Sequence, residues 1–378
     1  GMTYNVYANA DQPQRPWSLD LLPLILSSQD WQQIQTGVVQ RMRLLEGIMS
    51  DVYGMQHLLK QGALPHALVQ GHPGYLHAMQ GSSPVGGRHL NLAAFDLVKG
   101  PDGCWWLLSQ RTQAPSGLGY LLENRQIVSR QFPQAFEALP VQRLAETYRT
   151  LIDGIKARSP AGSSAHIALL TPGPYNETYY EQAYLARYLG LPLVEGSDLT
   201  VRGGIVWLKT LSGLQRVHVI MRRVDDDFCD PLELRTESAL GVAGLTEAAR
   251  LGNVLIANSL GSNLLESGAL LGFLPALSKR LLGEELRMPS VATWWCGEPA
   301  ALEQVIAKLD QLVIKPSFPQ LRQLPVFGQD LTGEARTALI AKMRANPRNY
   351  VAQELVRLSQ APVWQTSAPV GLNPRAIG

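Results

Sequence analysis

The stretch Leu107-Leu108-Ser109-Gln110-Arg111-Thr112-Gln113-Ala114-Pro115-Ser116-Gly117 decides the reading of this chain. It continues a strand-like run, Cys104-Trp105-Trp106-Leu107-Leu108, and leads to a helix predicted over Leu122–Arg130. A second apolar run, Asn91-Leu92-Ala93-Ala94-Phe95-Asp96-Leu97-Val98, lies upstream across Lys99-Gly100-Pro101-Asp102-Gly103. Asp-Gly between two such runs is a strong hairpin signal, because both residues tolerate the left-handed backbone of a tight turn. The pairing puts Asp96 on the first strand and Ser109 to Arg111 at the end of the second.

Upstream, residues 1–16 are polar with Pro13 and Pro16, and read as an extended lead-in. From Trp31 to Tyr53, Ile34, Val38, Met42, Leu45, Ile48, Met49 and Val52 recur at three- and four-residue steps, which predicts an amphipathic helix. A break at Gly54 precedes a short helix, and Gly71 to Gly87 reads as a loop in which His72 and His77 are solvated. Downstream, a helix is expected over Val141–Ser159, and a new unit begins near residue 165. Apolar strands at His166–Leu170, Leu193–Glu195, Val219–Arg222 and Val254–Asn258 alternate with helical segments, one of them Glu177–Leu189. That alternation implies parallel pairing with helices on both faces. Leu199–Val201 and Ile205–Leu208 flank Arg202-Gly203-Gly204 as a small hairpin. The chain then reads as helical from Leu264 through Leu282, strand at Leu312–Pro316, helix at Glu334–Arg344 and strand at Tyr350–Glu354.

At 378 residues the chain has room for two or three packed units. No window reaches about eighteen uninterrupted apolar residues, so no membrane span is expected. The net charge of +2 is spread along the chain, which argues against a nucleic-acid binder. Cys104, Cys229 and Cys296 have no metal-site spacing and read as free buried thiols in a reducing cytoplasm. Cys229 is the one thiol worth testing as a nucleophile, although Asp225-Asp226-Asp227 beside it would raise its pKa. The histidines, including His57 and His66, lack HxxxH or HxH spacing.

Three segments at strand ends carry candidate chemistry. Thr171-Pro172-Gly173-Pro174-Tyr175-Asn176-Glu177 joins a strand to a helix, where an anion would meet backbone amides; the alternative is a rigid turn capped by Asn176. Arg222-Arg223-Val224-Asp225-Asp226-Asp227-Phe228-Cys229-Asp230-Pro231 packs two guanidiniums and four carboxylates together. It suits either a cation and an anionic group or a self-neutralising salt-bridge network. Lys315 ends an apolar strand and reads either as a phosphate ligand or as a snorkelling surface lysine.

Taken together, several blocks resemble the circularly permuted ATP-grasp family, the relatives of glutathionylspermidine synthetase. They are Arg15-Pro16-Trp17, Asp51-Val52-Tyr53-Gly54, Ala114-Pro115-Ser116-Gly117 with Leu122-Glu123-Asn124-Arg125, Leu170 to Asn176 and Arg222 to Pro231. Gly241-Val242, Gly252-Asn253-Val254, Cys296-Gly297-Glu298-Pro299, Val313 to Pro316 and Tyr350-Val351-Ala352-Gln353 complete the set. The resemblance implies a mixed α/β, circularly permuted ATP-grasp fold with a Rossmann-like pre-ATP domain. It divides the chain into a metal-binding segment (1–160), the pre-ATP domain (161–262) and a lid and adenine-side segment (263–378). The implied activity is ATP-dependent ligation of a small-molecule carboxylate to an amine, with ATP and magnesium as cofactors.

Carried over by position, Asp96 is the metal ligand, and Lys315, Gln353, Glu354 and Arg111 face the nucleotide. Arg222, Arg223, Asp225 and Ser116 take the reaction side. The departures are specific. Ser109 and Arg111 stand where members carry Glu-x-Asn; Glu266-Ser267-Gly268 stands where they commonly carry Asp-Asp-Lys. Ser317-Phe318-Pro319-Gln320-Leu321 replaces the glycine-rich lid. A hard divalent ion needs several oxygen ligands, so a scaffold with degraded magnesium and phosphate ligands is expected, either as a ligase or as a non-catalytic ligand- or protein-binding module. A third reading is a simple α/β domain whose Arg222/Arg223 pair grips an anionic metabolite. Longer members that this chain resembles carry an α-helical "alpha-E" domain after the ATP-grasp region, so a C-terminal α-helical domain or partner is expected.

Overall fold

Strands buried on both faces read as continuous apolar runs, and Ile167–Leu170 and Leu255–Ala257 are such runs, with every residue buried. A computed structural model describes residues 3–4, 15–16, 19–20, 22–318, 323–365 and 371–376 of the chain. Two compact units form, one from residues 1–23, 82–92 and 113–260, the other from 24–81, 93–112 and 261–378.

The first unit is organised by a four-stranded parallel sheet in the order Leu255–Ala257, Val219–Arg222, Ile167–Leu170, Leu193–Val194. Arg222 is level with Leu170, so the loops after both strands leave the same edge of the sheet. Leu169, Val219 and Met221 pack with Tyr148 and Ile155 of helix Leu144–Arg158 and with Leu185 of helix Tyr179–Leu189. The predicted small hairpin gains a third strand: Leu199–Arg202, Ile205–Thr210 and Gly213–Arg216 form an antiparallel ribbon. The helix foreseen at Leu122–Arg130 begins earlier, at Leu118–Gln131, and a further short helix follows at Pro133–Ala138. Of the lead-in, Thr3–Tyr4 and Arg15–Pro16 pair antiparallel, and the rest of residues 1–16 lies outside the described residues.

The second unit is built on helix Ser28–Tyr53, capped by Ser27, whose Oγ accepts from the Asp30 amide at 3.0 Å. Its buried face carries Ile34, Leu44, Leu45, Ile48, Met49 and Val52. Strands Ala94–Lys99 and Trp105–Arg111 form the predicted hairpin, with Asp96 opposite Ser109 and a register shift just after Asp96. Asp30 ties this hairpin to the helix: its Oδ1 accepts from Lys99 Nζ and from Trp105 Nε1, each at 2.9 Å. Those donors, with Ser27, hold the Asp30 carboxyl down at about 2.

A four-stranded antiparallel sheet in the order Thr293–Trp295, Tyr350–Glu354, Leu312–Pro316, Val326–Phe327 completes the unit with the hairpin Gln360–Gln365/Gly371–Ala376. The helix expected from Leu264 is corrected. Residues Ser262–Glu266 and Gly268–Gly272 are 3₁₀ turns, and the α-helix begins only at Leu274–Leu282. At Gly272 the chain passes close to strand Thr293–Trp295, since an added Cβ would lie 2.8 Å from the Thr293 carbonyl oxygen. Among the described residues no helix is long and apolar enough to cross a membrane.

The reading of His72 as solvated is also corrected, whereas His77 is exposed as expected. His72 is 3% exposed, its Nδ1 accepts from the Gly74 amide at 2.8 Å, and its ring meets Phe318 edge-on at 4.8 Å. Burial pulls its pKa down to about 4, so it folds neutral. A histidine depressed in the folded state gives full stability above its unfolded pKa and loses it as pH falls toward the folded value. Denaturant titrations should therefore show about 3 kcal/mol of stability lost between roughly pH 6.5 and 4 through this group. His72→Asn, which keeps an acceptor for Gly74, should flatten that part of the profile. An unchanged pH dependence in the variant would place the titration elsewhere.

Candidate functional site

Residues of the hairpin and of the antiparallel sheet come together within the second unit. Asp96 and Ser109 face each other across the hairpin, and Arg111 lies two residues beyond Ser109 on the same face. Ser109 Oγ donates to Asp96 Oδ2, and Arg111 Nη2 donates to Asp96 Oδ1 at 2.5 Å. Both carboxylate oxygens are thus engaged by the two side chains that depart from the expected metal-ligand pattern. The Arg111 and Asp96 side chains are 56% and 42% exposed, so the pair adds little to stability. Its consequence is chemical: neither carboxylate oxygen is without a hydrogen-bond partner.

Lys315 and Gln353 lie on adjacent strands, and Lys315 Nζ donates to Gln353 Oε1 at 2.6 Å. Gln353 is buried, and its Nε2 donates to the Leu108 carbonyl and to Thr293 Oγ1, each at 3.3 Å. One amide therefore fixes the lysine against the hairpin strand. Burial lowers the pKa of Lys315, and the negative charge of Asp96 opposes that shift. Lys315 is half-buried, with its ammonium held by Gln353 and drawn by the charge of Asp96. Glu354 is exposed, and its backbone amide donates to Ala292 at 2.9 Å.

Glu266 does not serve as a free ligand, because its Oε1 accepts from the Thr112 amide at 2.7 Å. An added Cβ at Gly268 would meet only Val351 Cγ1, at 3.4 Å, so a larger residue fits there at its first carbon. Ser317 and Phe318 are buried, with the Ser317 carbonyl accepting from Ser267 Oγ at 2.7 Å; Pro319, Gln320 and Leu321 lie outside the described residues. Among the described residues no group of three or more His, Cys, Asp or Glu is placed to hold a metal ion. With Asp96 engaged by Ser109 and Arg111, and Glu266 bonded to the Thr112 amide, this donor set does not fit magnesium.

The remaining candidates lie in the first unit. Arg222 is fully buried and donates to the carbonyls of Asn258 and Val224 at 2.9 Å and of Ser259 at 3.3 Å. It also ion-pairs with Asp226 at 2.5 Å. Asp230 accepts from the amides of Leu232 at 2.9 Å, Gly244 at 3.1 Å and Thr246 at 2.9 Å, and Asp227 pairs with Arg235 at 3.1 Å. Within the cluster the ion pair is Arg222–Asp226, while Asp227 pairs with Arg235 beyond it and Asp230 is held by backbone amides. Asp225 is exposed and accepts from Gln113 Nε2 at 3.0 Å. Arg223 is 7% exposed, and its Nη1 donates to the Arg222 carbonyl at 3.2 Å. Ser116 is exposed on the loop before helix Leu118–Gln131.

Asn176 is not the helix cap: the helix starts after Thr178. Asn176 Oδ1 instead accepts from the Thr178 amide at 3.0 Å, Thr178 Oγ1 at 2.8 Å and Gln182 Nε2 at 3.1 Å, making a rigid turn one step earlier. Glu181 went unnoticed in the sequence. It is fully buried and accepts from the Gly117 and Gly119 amides at 3.1 and 2.9 Å. Its four-residue spacing from the core residue Leu185 was the available signal.

Of the three cysteines, Cys229 and Cys296 are buried, whereas Cys104 is exposed and corrects the expectation of buried thiols throughout. Burial pushes the Cys229 thiol up to about 12; Arg222 pulls the other way, and Asp226, Asp225 and Asp227 add to the rise. That thiol is no nucleophile at neutral pH. A thiol-reactive chromophore should modify one of the three cysteines in the native protein and all three in denaturant. Fast native labelling of Cys229 would contradict the assignment.

The comparisons with known proteins agree with this architecture. The family model described as circularly permuted ATP-grasp type 2 matches residues 23–378. An uncharacterised protein of Mycobacterium tuberculosis is 40% identical over 369 residues, covering 94% of this chain and 41% of the relative. An uncharacterised protein of Synechocystis is 33% identical over 363 residues, covering 96% of this chain and 76% of the relative. The chain thus spans less than half the length of the mycobacterial relative. A glutathione synthetase-like effector from Globodera pallida, solved in its apo form, shares the fold with a TM-score of 0.62 at 14% identity, over 94% of this chain and 78% of the effector.

Proposed function

The chain belongs to the circularly permuted ATP-grasp type 2 family, and on that premise we propose that it is a carboxylate–amine ligase scaffold whose magnesium position has been taken over by its own side chains. The observation that carries this reading is the double engagement of Asp96 by Ser109 and Arg111. A guanidinium brings one positive charge and no open coordination site, where a magnesium ion brings two charges and several. Metal-assisted phosphoryl transfer by the family's route is therefore disfavoured. Non-catalytic binding of a ligand or protein is the role we assign.

In this reading Lys315 is the cation that faces an anionic ligand, Arg111 being engaged by Asp96, and Gln353 and Glu354 line the adenine side if that ligand is ATP. Arg223, Asp225 and Ser116 belong to the side of a small-molecule carboxylate or amine. The three-part division at residues 160 and 262 is the functional partition we propose: metal-binding segment, Rossmann-like pre-ATP domain, and lid with adenine side. The greater length of the mycobacterial relatives supports a module working beside further chain; an α-helical domain there rests on the family resemblance alone. Three free thiols favour a reducing cytoplasm.

Calorimetry with ATP, with and without magnesium, tests the proposal. The unaltered chain should show weak or no ATP affinity that magnesium does not improve. The triple variant Ser109→Glu, Arg111→Asn, Gly268→Lys should gain magnesium-dependent affinity of about tenfold or more, roughly 1.4 kcal/mol. Tight, magnesium-dependent ATP binding by the unaltered chain would overturn the reading.

A further inference from the structure

In the second unit a groove of about 500 Å³ lies between helix Leu274–Leu282 and the segment that leads into strand Thr293–Trp295. That volume suits a small organic molecule. Leu271, Pro275, Leu286, Pro289 and Trp294 give it apolar walls over a buried Val291. Leu286, Pro289 and Trp294 are only half-buried, so this apolar surface is open to a ligand. One wall is pinned to the hairpin: the Leu107 amide donates to the Pro289 carbonyl at 2.9 Å, and the Val291 amide to the Leu107 carbonyl at 3.0 Å. Asp96, Arg111 and Lys315 take no part in the lining, which sets the groove apart from the site described above.

The polar part of the lining is backed by a buried cation. Arg41, 0% exposed on helix Ser28–Tyr53, donates through Nη2 to the Met288 carbonyl at 2.7 Å and to Ser290 Oγ at 2.8 Å, and Ser290 lines the groove. Both partners are neutral, and among the described residues no carboxylate pairs with this guanidinium. Burial pulls its pKa down to about 10, so it stays charged at neutral pH. Buried charges are normally compensated by an opposite one. Because the Ser290 oxygen already accepts from a cation, the hydroxyl is left as a donor in the groove wall, polarised from behind. Lys279 also lines the groove and pairs with Glu285 at 2.8 Å; both side chains are largely exposed, so the pair is weak and opens readily. Arg43 and Arg287 share Glu284, at 3.4 and 3.5 Å, so the nearby carboxylates leave the charge of Arg41 without an offset.

We propose that this groove binds an amphipathic carboxylate, its apolar body lying on Leu286, Pro289 and Trp294 and its head held by the Ser290 hydroxyl and the Lys279 ammonium. Two donors match the two oxygens of a carboxylate, and the head supplies the counter-charge that Arg41 lacks. The apolar walls reward buried area, so affinity rises with the length of the chain behind the head. Such a ligand is an effector rather than a substrate, since the lining holds none of the residues assigned to the nucleotide or to the reaction side. The inference stands independently of the magnesium-replacement reading.

The test is calorimetry on the full chain without ATP or magnesium, using acetate, hexanoate, octanoate and decanoate, with octanol as the neutral control. Octanoate should bind saturably, and affinity should rise from hexanoate to decanoate. Acetate, which lacks the apolar body, and octanol, which lacks the charge, should each bind about tenfold or more weakly than octanoate. Lys279→Glu and Ser290→Ala should each weaken octanoate about tenfold and leave octanol unchanged. Ala292→Trp, which adds bulk at an exposed position of the lining, should block both ligands. If Ser290→Ala disturbs the fold by releasing Arg41, the variants at Lys279 and Ala292, both exposed, still decide the matter. No saturation by any of the longer acids, equal affinity for octanol and octanoate, or octanoate binding unchanged in either Lys279→Glu or Ala292→Trp would overturn the proposal.

Discussion

The Asp96 carboxylate on the β-hairpin is engaged at both oxygens by groups of the hairpin itself. Alternation of side chains along a strand places Ser109 and Arg111 on one face, and the register puts Ser109 opposite Asp96. The hydroxyl takes one oxygen and the guanidinium takes the other. The local chemistry follows from that contact. Lys315 feels the Asp96 charge, Gln353 braces the lysine against the Leu108 carbonyl, and Asp30 fixes the far end of the hairpin through Lys99 and Trp105. The ATP-grasp frame is kept around these substituted positions.

The first unit shows how densely packed charges divide their roles. Arg222 and its neighbouring carboxylates are consumed in holding the edge of the parallel sheet, where loss of one partner would leave another buried and uncompensated. Arg223 differs, with donors unmatched. Adjacent residues of the same type thus differ in how fully they are matched, and only the three-dimensional arrangement tells them apart.

Much of the fold was legible because its signals are local. Ile167–Leu170, Val219–Arg222 and Leu312–Pro316 are short runs rich in apolar residues, and Asp102-Gly103 marks the hairpin. The strands that escaped notice have weak patterns of their own. Thr293–Trp295 and Val326–Phe327 are three and two residues long and exist because a neighbouring strand presents a free edge. The stretch from Ser262 to Gly272 has helical composition, yet glycines and the close approach to Thr293 cut it into 3₁₀ turns. At the site, the replaced positions 109, 111 and 268 were visible by pattern, but not that Ser109 and Arg111 both close on Asp96. Burial of His72 and Glu181 was hidden for the same reason: a single polar residue carries no sign of what packs over it.

The most direct measurement is anomalous scattering from a crystal soaked with manganese and a non-hydrolysable ATP analogue. Our account predicts that Asp96 stays bonded to Ser109 and Arg111, with no manganese peak within coordination reach of its carboxylate. A well-ordered manganese ion ligated by Asp96, with Arg111 displaced, would contradict it.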